Sequence, residues 1–260
     1  MDYSLPPAVR VESDGPVRIV RLSRPDQLNA VNEDLHLGLA RVFPLLSADA
    51  DARVAVITGE GRAFSSGGDF DLLNRMGKDR VLRREMIAEG RELVLNMIRC
   101  RVPVVAAVNG PAVGLGCSVI ALSDVVYMAE SAYLADPHVA VGLVAADGGP
   151  LTWPLHTSLL LAKEYAFTGE RIGAARAREI GLANHVCPDG EVLSAALAAA
   201  RRIASLPRQA VEATKRVLNL HLERAVLATI DFAMAAETES FETTEFRENV
   251  ARFLGRSPTG

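Results

Sequence analysis

The sequence predicts an α/β fold with a helical C-terminal subdomain, and three observations support this prediction. Two short apolar runs, residues 54–57 and 104–108, are rich in β-branched side chains and have the length of buried strands. Each run is followed by a glycine-rich segment, which is typical of a tight turn. Strand and helix patterns alternate in the first part of the chain, whereas from about residue 174 only helical patterns are evident. The 260 residues suffice for one large core with an appendage.

The elements before the second apolar run are predicted from periodicity and capping residues. Residues 17–22 alternate apolar and basic side chains, as a half-exposed strand does. Asn32 is expected to cap a helix that extends to about residue 46, because apolar residues recur there at helical spacing. The charge-rich stretch 72–91 is predicted to be helical, either as a lid over a site or as a solvated surface helix. Residues 92–101 continue as helix toward the central strand.

The elements after the second glycine-rich segment complete the prediction. Short strands are expected at 125–129 and 133–135, and a helix at 148–166 despite Pro154. The later helices are predicted at 174–180, 191–204, 208–222, 224–239 and 245–254. We therefore divide the chain into an α/β core of residues 1–200 and a helical C-terminal subdomain of residues 201–260.

The composition indicates an ordinary globular protein and excludes several functional classes. Hydrophobic residues make up 49% and charged residues 23%, which is typical of soluble domains. A net charge of −4 gives no indication of a nucleic acid or an anionic membrane as partner. No apolar run is long enough to span a bilayer, and the N-terminus lacks the pattern of a secretory signal. These features predict a cytoplasmic protein with neither membrane nor nucleic-acid partners.

The cysteines and histidines do not predict a metal site. Cys100, Cys117 and Cys187 lack a C-x-x-C spacing, so they are expected to be reduced thiols. Cys117 lies among small apolar residues without a base nearby in sequence, which favours a packed core cysteine over a nucleophile. No metal-ligand spacing, and hence no predicted role, is found for His36, His156, His185 and His221.

The most informative stretch is residues 102–118, where an apolar strand, an Asn-Gly-Pro turn and a small-residue segment precede a helix. The first N–H groups of a helix have no partner within it and favour negative charge. Residues 59–69 form a second glycine-rich segment after another predicted strand. Two such turns are able to place two backbone N–H groups on one oxygen, which is the geometry of an oxyanion hole.

These motifs resemble those of a known enzyme family. AFSSGGDF at 63–70 and AAVNGPAVGLGCS at 106–118 are similar to the crotonase, or enoyl-CoA hydratase/isomerase, superfamily. Residues 24–32 resemble that family's coenzyme A entry segment, so Ala30 is expected to bind substrate. The resemblance covers most of the chain. It implies a spiral of ββα units, a homotrimer or dimer of trimers, and an acyl-CoA substrate without a separate cofactor, coenzyme A being part of the substrate.

The resemblance also assigns the backbone groups of the site. By motif position, the oxyanion hole is formed by the N–H groups of Ser66 and Leu115. The neighbouring residues Gly67, Gly68 and Gly114 are expected to contact the substrate. Leu115 stands where the family often has glycine, a change that keeps the backbone N–H and narrows the pocket.

The side chains depart from the family's pattern at both catalytic glutamates. The corresponding residues here are Ser118, which is expected to contact substrate, and His138. His138 is expected to act as a general base, because histidine accepts a proton near neutral pH without a large pKa shift. A turn around Gly142 is expected to return Asp147 to the imidazole, where it would fix the ring tautomer. The pattern resembles the His–Asp pair of the 6-oxocamphor hydrolase-like β-diketone hydrolases, which cleave a C–C bond with water.

Five residues have two interpretations each. Asp69 matches a frequent acidic position of the family and either contacts substrate or ties down its own loop. Arg252 and Arg256 either meet the phosphates of coenzyme A or are exposed basic residues of a terminal helix. Glu237 either reaches the pocket or is a solvated helix residue. For Asp147, helix capping is the alternative to catalysis, because Gly-Gly-Pro follows it.

Three functional hypotheses follow. The first is an acyl-CoA-processing enzyme of the enoyl-CoA hydratase/isomerase family, in which His138 and Asp147 replace the usual glutamates. The second is a hydrolase that cleaves C–C bonds of β-diketones in a retro-Claisen reaction. The third is a non-catalytic homologue that binds acyl-CoA, suggested by the missing glutamates.

Overall fold

The two apolar runs lie at the centre of a six-stranded sheet in a computed structural model that describes residues 3–255. The strands are β1 (Val9–Asp14), β2 (Val17–Leu22), β3 (Val54–Gly59), β4 (Val104–Val108), β5 (Ala112–Val113), β6 (Val125–Ala129), β7 (Tyr133–Ala135), β8 (Ile172–Gly173) and β9 (His185–Cys187). The large sheet has the order β1-β2-β3-β4-β6-β9, with β1 antiparallel to β2 and the other neighbours parallel. Strands β5, β7 and β8 form a second, smaller sheet.

Helices surround these sheets and dominate the second half of the chain. They are α1 (Glu33–Ala48), α2 (Phe70–Lys78), α3 (Arg80–Arg99), α4 (Leu115–Ala121), α5 (His138–Val141), α6 (Gly149–His156), α7 (Leu159–Thr168), α8 (Ala174–Glu179), α9 (Val192–Ala204), α10 (Arg208–Leu227), α11 (Ile230–Ser240) and α12 (Thr244–Gly255). Among the described residues, no helix is both long and apolar enough to cross a membrane.

Repeated units of two strands and a helix confirm the predicted ββα spiral. One unit is β4–β5–α4 and the next is β6–β7–α5. Their first strands are parallel neighbours in the large sheet, and their second strands are parallel neighbours in the small sheet. The preceding unit contains β3 and α2, and its second strand is reduced to a bridge between Ser65 and Ala112. The first strands of these units therefore all have their carboxyl ends on the same side of the large sheet.

Several predicted element boundaries agree with the structure. Strand β2 has the predicted bounds, and the Asn32 side chain caps α1 by accepting a hydrogen bond of 3.0 Å from the N–H of Leu35. The charge-rich region is indeed helical, and it is divided in two at Asp79, whose carboxylate accepts hydrogen bonds from the first N–H groups of α3. Capping residues thus decided where these helices begin.

Three predictions about secondary structure are wrong. Strand β1 was not predicted, and β9 lies in the part of the chain where only helices were expected. The single helix predicted at 148–166 is broken into α6 and α7 by an extended residue, Thr157, and Ser158 caps the second helix. Short strands such as β9 gain their stability from pairing with a neighbour, here β6, which the local sequence does not reveal.

The predicted division of the chain at residues 200 and 201 falls within α9. This helix packs against β3 and β4 and therefore belongs with the large sheet. The three helices that follow, α10 to α12, all pack on helices, with α10 and α11 against α3 and α12 against α2 and α5. A separate helical subdomain and its boundary remain predictions.

Candidate active site

The two glycine-rich segments meet beyond the carboxyl ends of β3 and β4. Gly114 lies between them with φ of +51°, a conformation that favours glycine. A side chain at Gly114 would begin 3.7 Å from Cα of Gly67 and 3.6 Å from Cε1 of His138. The positive φ is therefore what favours glycine here, and it places Gly114 beside both Gly67 and the imidazole of His138. The predicted site residues that line this cavity are Ser66, Gly67, Gly68, Gly114, Leu115, His138 and Asp147.

In the last part of the glycine-rich segment 59–69, residues 64–69, the backbone N–H groups are occupied by hydrogen bonds with one exception. Ser66 donates to the carbonyl of Leu28 at 2.9 Å, and Asp69 donates to the carbonyl of Val31 at 3.0 Å. Gly67 makes a long bond of 3.3 Å to the Ser65 hydroxyl. Among residues 64–69, Gly68 alone has no acceptor in the part of the chain that the structure describes. The Ser66 N–H, which was predicted to form the oxyanion hole, is thus occupied in this structure by a segment distant in sequence, and its role toward substrate stays a prediction.

The segment 102–118 leaves the N–H group of Leu115 available, as predicted. Leu115 is the first residue of α4, so its N–H has no acceptor within the helix. The preceding residue, Gly114, donates to the carbonyl of Ala135 at 2.9 Å. No acceptor for the Leu115 N–H is present in residues 3–255. Gly68 and Leu115 thus present two unpartnered backbone donors to one cavity.

His138 is oriented by an aspartate that the sequence analysis missed. Nδ1 of His138 makes a very short hydrogen bond to Oδ1 of Asp136, whose side chain is only 1% exposed. Burial by itself lowers the pKa of His138, but the charge and hydrogen bond of Asp136, together with the charges of Asp147 and Glu237, outweigh burial and raise the pKa to about 10. The imidazole is therefore a cation near neutral pH. It is ready to donate a proton, contrary to the predicted role of a neutral base.

Asp147 lies beside the imidazole, as predicted. It faces Nε2, the ring nitrogen that Asp136 does not contact. Oδ1 of Asp147 lies 4.0 Å from Nε2 of His138 and accepts a hydrogen bond of 3.1 Å from the Ser118 hydroxyl. Since Asp136 holds Nδ1, the prediction that Asp147 fixes the ring tautomer is wrong. The alternative capping role is also not observed, because α6 has Gly148 as its N-cap without a side-chain hydrogen bond. Asp147 remains a carboxylate that faces the cavity beside an imidazolium.

Ser118 supports Asp147 and is not part of the cavity wall. Ser118 is only 1% exposed. Its hydroxyl lies 3.2 Å from the carbonyl oxygen of Gly114 and within hydrogen-bond distance of the Asp147 carboxylate. A side chain at Gly148 would begin 2.0 Å from this hydroxyl, so the glycine is needed for the contact. Ser118 is not among the residues that line the cavity, and its contact with substrate stays a prediction. Its place beside Asp147 makes it a positioning residue.

Replacement of Ser118 by alanine tests this positioning role. We expect Ser118→Ala to lower kcat about fivefold with little change in KM, because one hydrogen bond to the Asp147 carboxylate is lost while the cavity wall is unaltered. Steady-state kinetics measure both constants. Ser123→Ala is the matched control, since its hydroxyl bonds only to the Val119 carbonyl near the end of α4. An increase in KM without a change in kcat would instead indicate direct substrate contact.

Glu237 reaches the cavity from α11, which selects one of its two interpretations. Burial raises its pKa to about 8, and the neighbouring negative charge of Asp147 acts in the same direction. Glu237 is therefore mainly protonated near pH 7. The cluster of His138, Asp136, Asp147 and Glu237 accordingly carries one positive and two negative charges at that pH.

The other predicted residues lie outside the cavity wall. Asp69 ties down its loop, because its carboxylate accepts a hydrogen bond of 3.0 Å from the N–H of Asp71 and pairs with Arg24 at 3.3 Å. The carbonyl of Ala30 accepts a hydrogen bond from the Arg24 guanidinium. Ala30 is not among the residues that line the cavity, so its contact with substrate remains a prediction. Arg252 is exposed, and Arg256 lies outside the described residues.

The described residues of this site favour neither a cysteine nucleophile nor a bound metal ion. Cys117 is buried, and burial raises the pKa of its thiol well above the usual value, so a thiolate nucleophile is disfavoured. In the part of the chain that the structure describes, no group of three His, Cys, Asp or Glu side chains is arranged to hold a metal ion.

The fold and the site define a class of protein. Two unpartnered N–H groups at one cavity are suited to hold an oxygen that gains negative charge, and an imidazolium beside a carboxylate is suited to proton transfer. This set of groups is typical of the active site of an enzyme.

Comparisons with known proteins identify the family. The sequence model described as enoyl-CoA hydratase/isomerase matches residues 12–259. A probable enoyl-CoA hydratase of Rhodobacter capsulatus is 31% identical over 252 residues, which cover 96% of each chain. The human mitochondrial Delta(3,5)-Delta(2,4)-dienoyl-CoA isomerase is 33% identical, with 89% of this chain and 74% of the isomerase covered. The crystal structure of an enoyl-CoA hydratase/isomerase from Mycobacterium paratuberculosis is 64% identical, with a TM-score of 0.94, and covers 96% of this chain and 100% of that one.

This chain belongs to the enoyl-CoA hydratase/isomerase family. It is an acyl-CoA-processing enzyme of that family, as the resemblance of its glycine-rich motifs implied.

Proposed function

We propose that this enzyme hydrates or isomerises the acyl chain of a coenzyme A thioester, using His138 and Asp147 in place of the family's two glutamates. The observation that carries the proposal is that two unpartnered N–H groups, of Gly68 and Leu115, line the same cavity as these two side chains. The thioester oxygen accepts both hydrogen bonds, which stabilise it as it becomes an enolate oxygen.

The proton transfers follow from the charges of the cluster. In hydration, Asp147 accepts a proton from water while the hydroxide adds to the β carbon, and the electron pair moves to the thioester oxygen. The enolate then collapses, and its α carbon takes a proton from the His138 imidazolium. In isomerisation, one carbon loses a proton to Asp147, and another carbon of the dienolate gains one from His138. Asp136 orients the imidazole throughout and favours its charged form before the proton is transferred.

The proposal extends to the finer properties that the resemblance implies. No metal or redox cofactor takes part, coenzyme A enters only as part of the substrate, and the protein is cytoplasmic. It assembles as a homotrimer or a dimer of trimers. Large apolar side chains on the surface, including Leu160, Phe167 and Phe232, support such an assembly.

Substitution of Gly68 by proline tests the oxyanion hole directly. Proline removes the backbone N–H, so we expect Gly68→Pro to lower kcat/KM for crotonyl-CoA hydration or for isomerisation of a 3-enoyl-CoA about a hundredfold or more. Gly68→Ala is the matched control, because it keeps the N–H and meets only the Leu73 side chain, at 3.3 Å. We expect the alanine variant to remain within a few-fold of wild type.

The same assay separates the proposal from the other two hypotheses. A cyclic β-diketone is tested beside the two thioesters. Diketone cleavage without thioester turnover would assign the protein to the C–C hydrolases. Binding of coenzyme A thioesters without turnover of any substrate would favour a non-catalytic homologue. Equal activity of Gly68→Pro and wild type would contradict the proposed oxyanion hole.

A further inference from the structure

The cavity has a second histidine–carboxylate pair, separate from the His138 cluster. Most side chains that line the cavity away from His138 are apolar, and they include Leu72, Met76, Met86, Met234 and Phe241. His36, on α1, is the exception. A polar ring in an otherwise apolar wall is informative, because an unused hydrogen-bonding group in such a place opposes the binding of plain hydrocarbon.

Glu89 on α3 holds the His36 ring in one orientation. Nδ1 of His36 lies 2.5 Å from Oε1 of Glu89, and both side chains are largely buried. An ionised carboxylate only accepts hydrogen bonds, so Nδ1 carries the proton. In the neutral ring Nε2 is then an acceptor, and it has no partner among the described residues.

Gly90 leaves open space beside this free nitrogen. It lies in the interior of α3, where glycine is less favourable than alanine. A side chain at Gly90 would begin 3.6 Å from Nε2 and 3.9 Å from Cε1 of His36, and no other atom outside its own helix neighbourhood lies within 4 Å. Packing alone would therefore accept alanine. Since His36 and Gly90 both line the cavity, the missing side chain of Gly90 opens a notch beside Nε2, formed by His36 and Gly90, and Glu89 holds the ring from outside the cavity wall.

We propose that this notch binds a hydroxyl group on the acyl chain of the substrate, so that the preferred substrate is a hydroxylated acyl-CoA. The hydroxyl donates a hydrogen bond to Nε2 of His36, which Glu89 holds in place. With Nε2 as the acceptor, an oxo group in the same position has no proton to donate and gains no hydrogen bond. The inference rests on the proposed function for the class of substrate, and it adds what distinguishes one acyl chain from another.

Calorimetric binding of unreactive ligands tests the notch without requiring turnover. The probes are hexanoyl-CoA, its hydroxylated counterparts with the hydroxyl at each carbon beyond the β carbon, and the matching oxo compounds. We expect wild type to bind one hydroxylated thioester about tenfold more tightly than hexanoyl-CoA, which corresponds to one hydrogen bond. The oxo compound is expected to show no such gain.

Two variants assign the gain to the notch. His36→Phe keeps a ring of similar size without the acceptor, and it is expected to bind all these thioesters with the affinity of hexanoyl-CoA. Gly90→Ala fills the space beside Nε2 and is expected to lose the preference while raising the melting temperature, because alanine favours the helix. In Gly90→Ala the preference for the hydroxylated thioester is expected to fall while the melting temperature rises. Loss of the preference therefore cannot be attributed to unfolding.

Each outcome bears on the proposal. Equal binding of hydroxylated and plain thioesters by wild type would overturn it, as would a preference retained by His36→Phe. Failure of wild type to bind any of the thioesters would overturn it as well. Absence of turnover on crotonyl-CoA and a 3-enoyl-CoA, combined with a hydroxyl preference that His36→Phe abolishes, would contradict the proposed reaction and leave the notch standing.

Discussion

Asp147→Asn is expected to lower kcat about a thousandfold on whichever thioester the wild type converts. Asp147 is the carboxylate that faces Nε2 of His138 in the cavity, whereas Glu237 is mainly protonated near pH 7 and Asp136 is buried against Nδ1. Asparagine keeps the size of the side chain and still accepts a hydrogen bond from Ser118, but it does not accept a proton. General base catalysis by a positioned carboxylate contributes a factor of about 10² to 10⁴, which sets the expected loss.

Two controls make the result specific. Binding of a saturated acyl-CoA, measured by calorimetry, is expected to stay within about threefold of wild type, because the N–H groups of Gly68 and Leu115 are unaltered. Asp51→Asn changes an exposed aspartate at the opposite end of β3 and is expected to retain full activity. Full activity of Asp147→Asn with loss of activity in His138→Gln would instead make the imidazole the proton acceptor.

Asp136→Asn is expected to reduce the free energy of unfolding by about 3 kcal/mol and to lower the pKa of His138. The substitution removes one partner of a buried ion pair and leaves the imidazolium uncompensated, which is costly in a site away from water. Urea unfolding measures the free energy, and the Cε1 proton of His138 reports the pKa in an NMR titration. Asp124→Asn breaks a different buried pair, with Lys215 at 2.7 Å, and is expected to destabilise the protein without altering the His138 titration.

The raised pKa of His138 also makes the stability of the folded protein depend on pH. Between pH 6.5, the ordinary pKa of histidine, and about pH 10 the folded protein holds the His138 proton and the unfolded chain releases it. Stability contributed by the pair is therefore complete below pH 6.5 and is lost as pH rises toward 10. Wild type is expected to lose stability over this interval, and Asp136→Asn is expected to show a smaller loss. An identical slope in the two proteins would contradict the assigned pKa shift.

Local patterns predicted much of the scaffold and part of the site. The apolar runs at β3 and β4 and the cap at Asn32 depend on neighbouring residues, so periodicity and capping located them correctly. The availability of the Leu115 N–H was predictable for the same reason, since it depends only on where a helix begins. Strand β9 and the break between α6 and α7 were missed, because their stability comes from a pairing strand or a single cap rather than from a repeated pattern.

The sequence by itself determined the family, the two glycine-rich turns and the placement of His138 and Asp147 at the site. Only the tertiary structure decided how these groups are used. The carbonyl of Leu28 occupies the Ser66 N–H, whereas the N–H of Gly68 has no acceptor within residues 3–255. Asp136 contacts Nδ1 of His138, and Asp147 faces Nε2. At a separate place, Glu89 orients His36 from another helix. Hydrogen-bond partners and pKa values depend on which groups lie close in space, and folding brings together residues that the linear sequence keeps far apart.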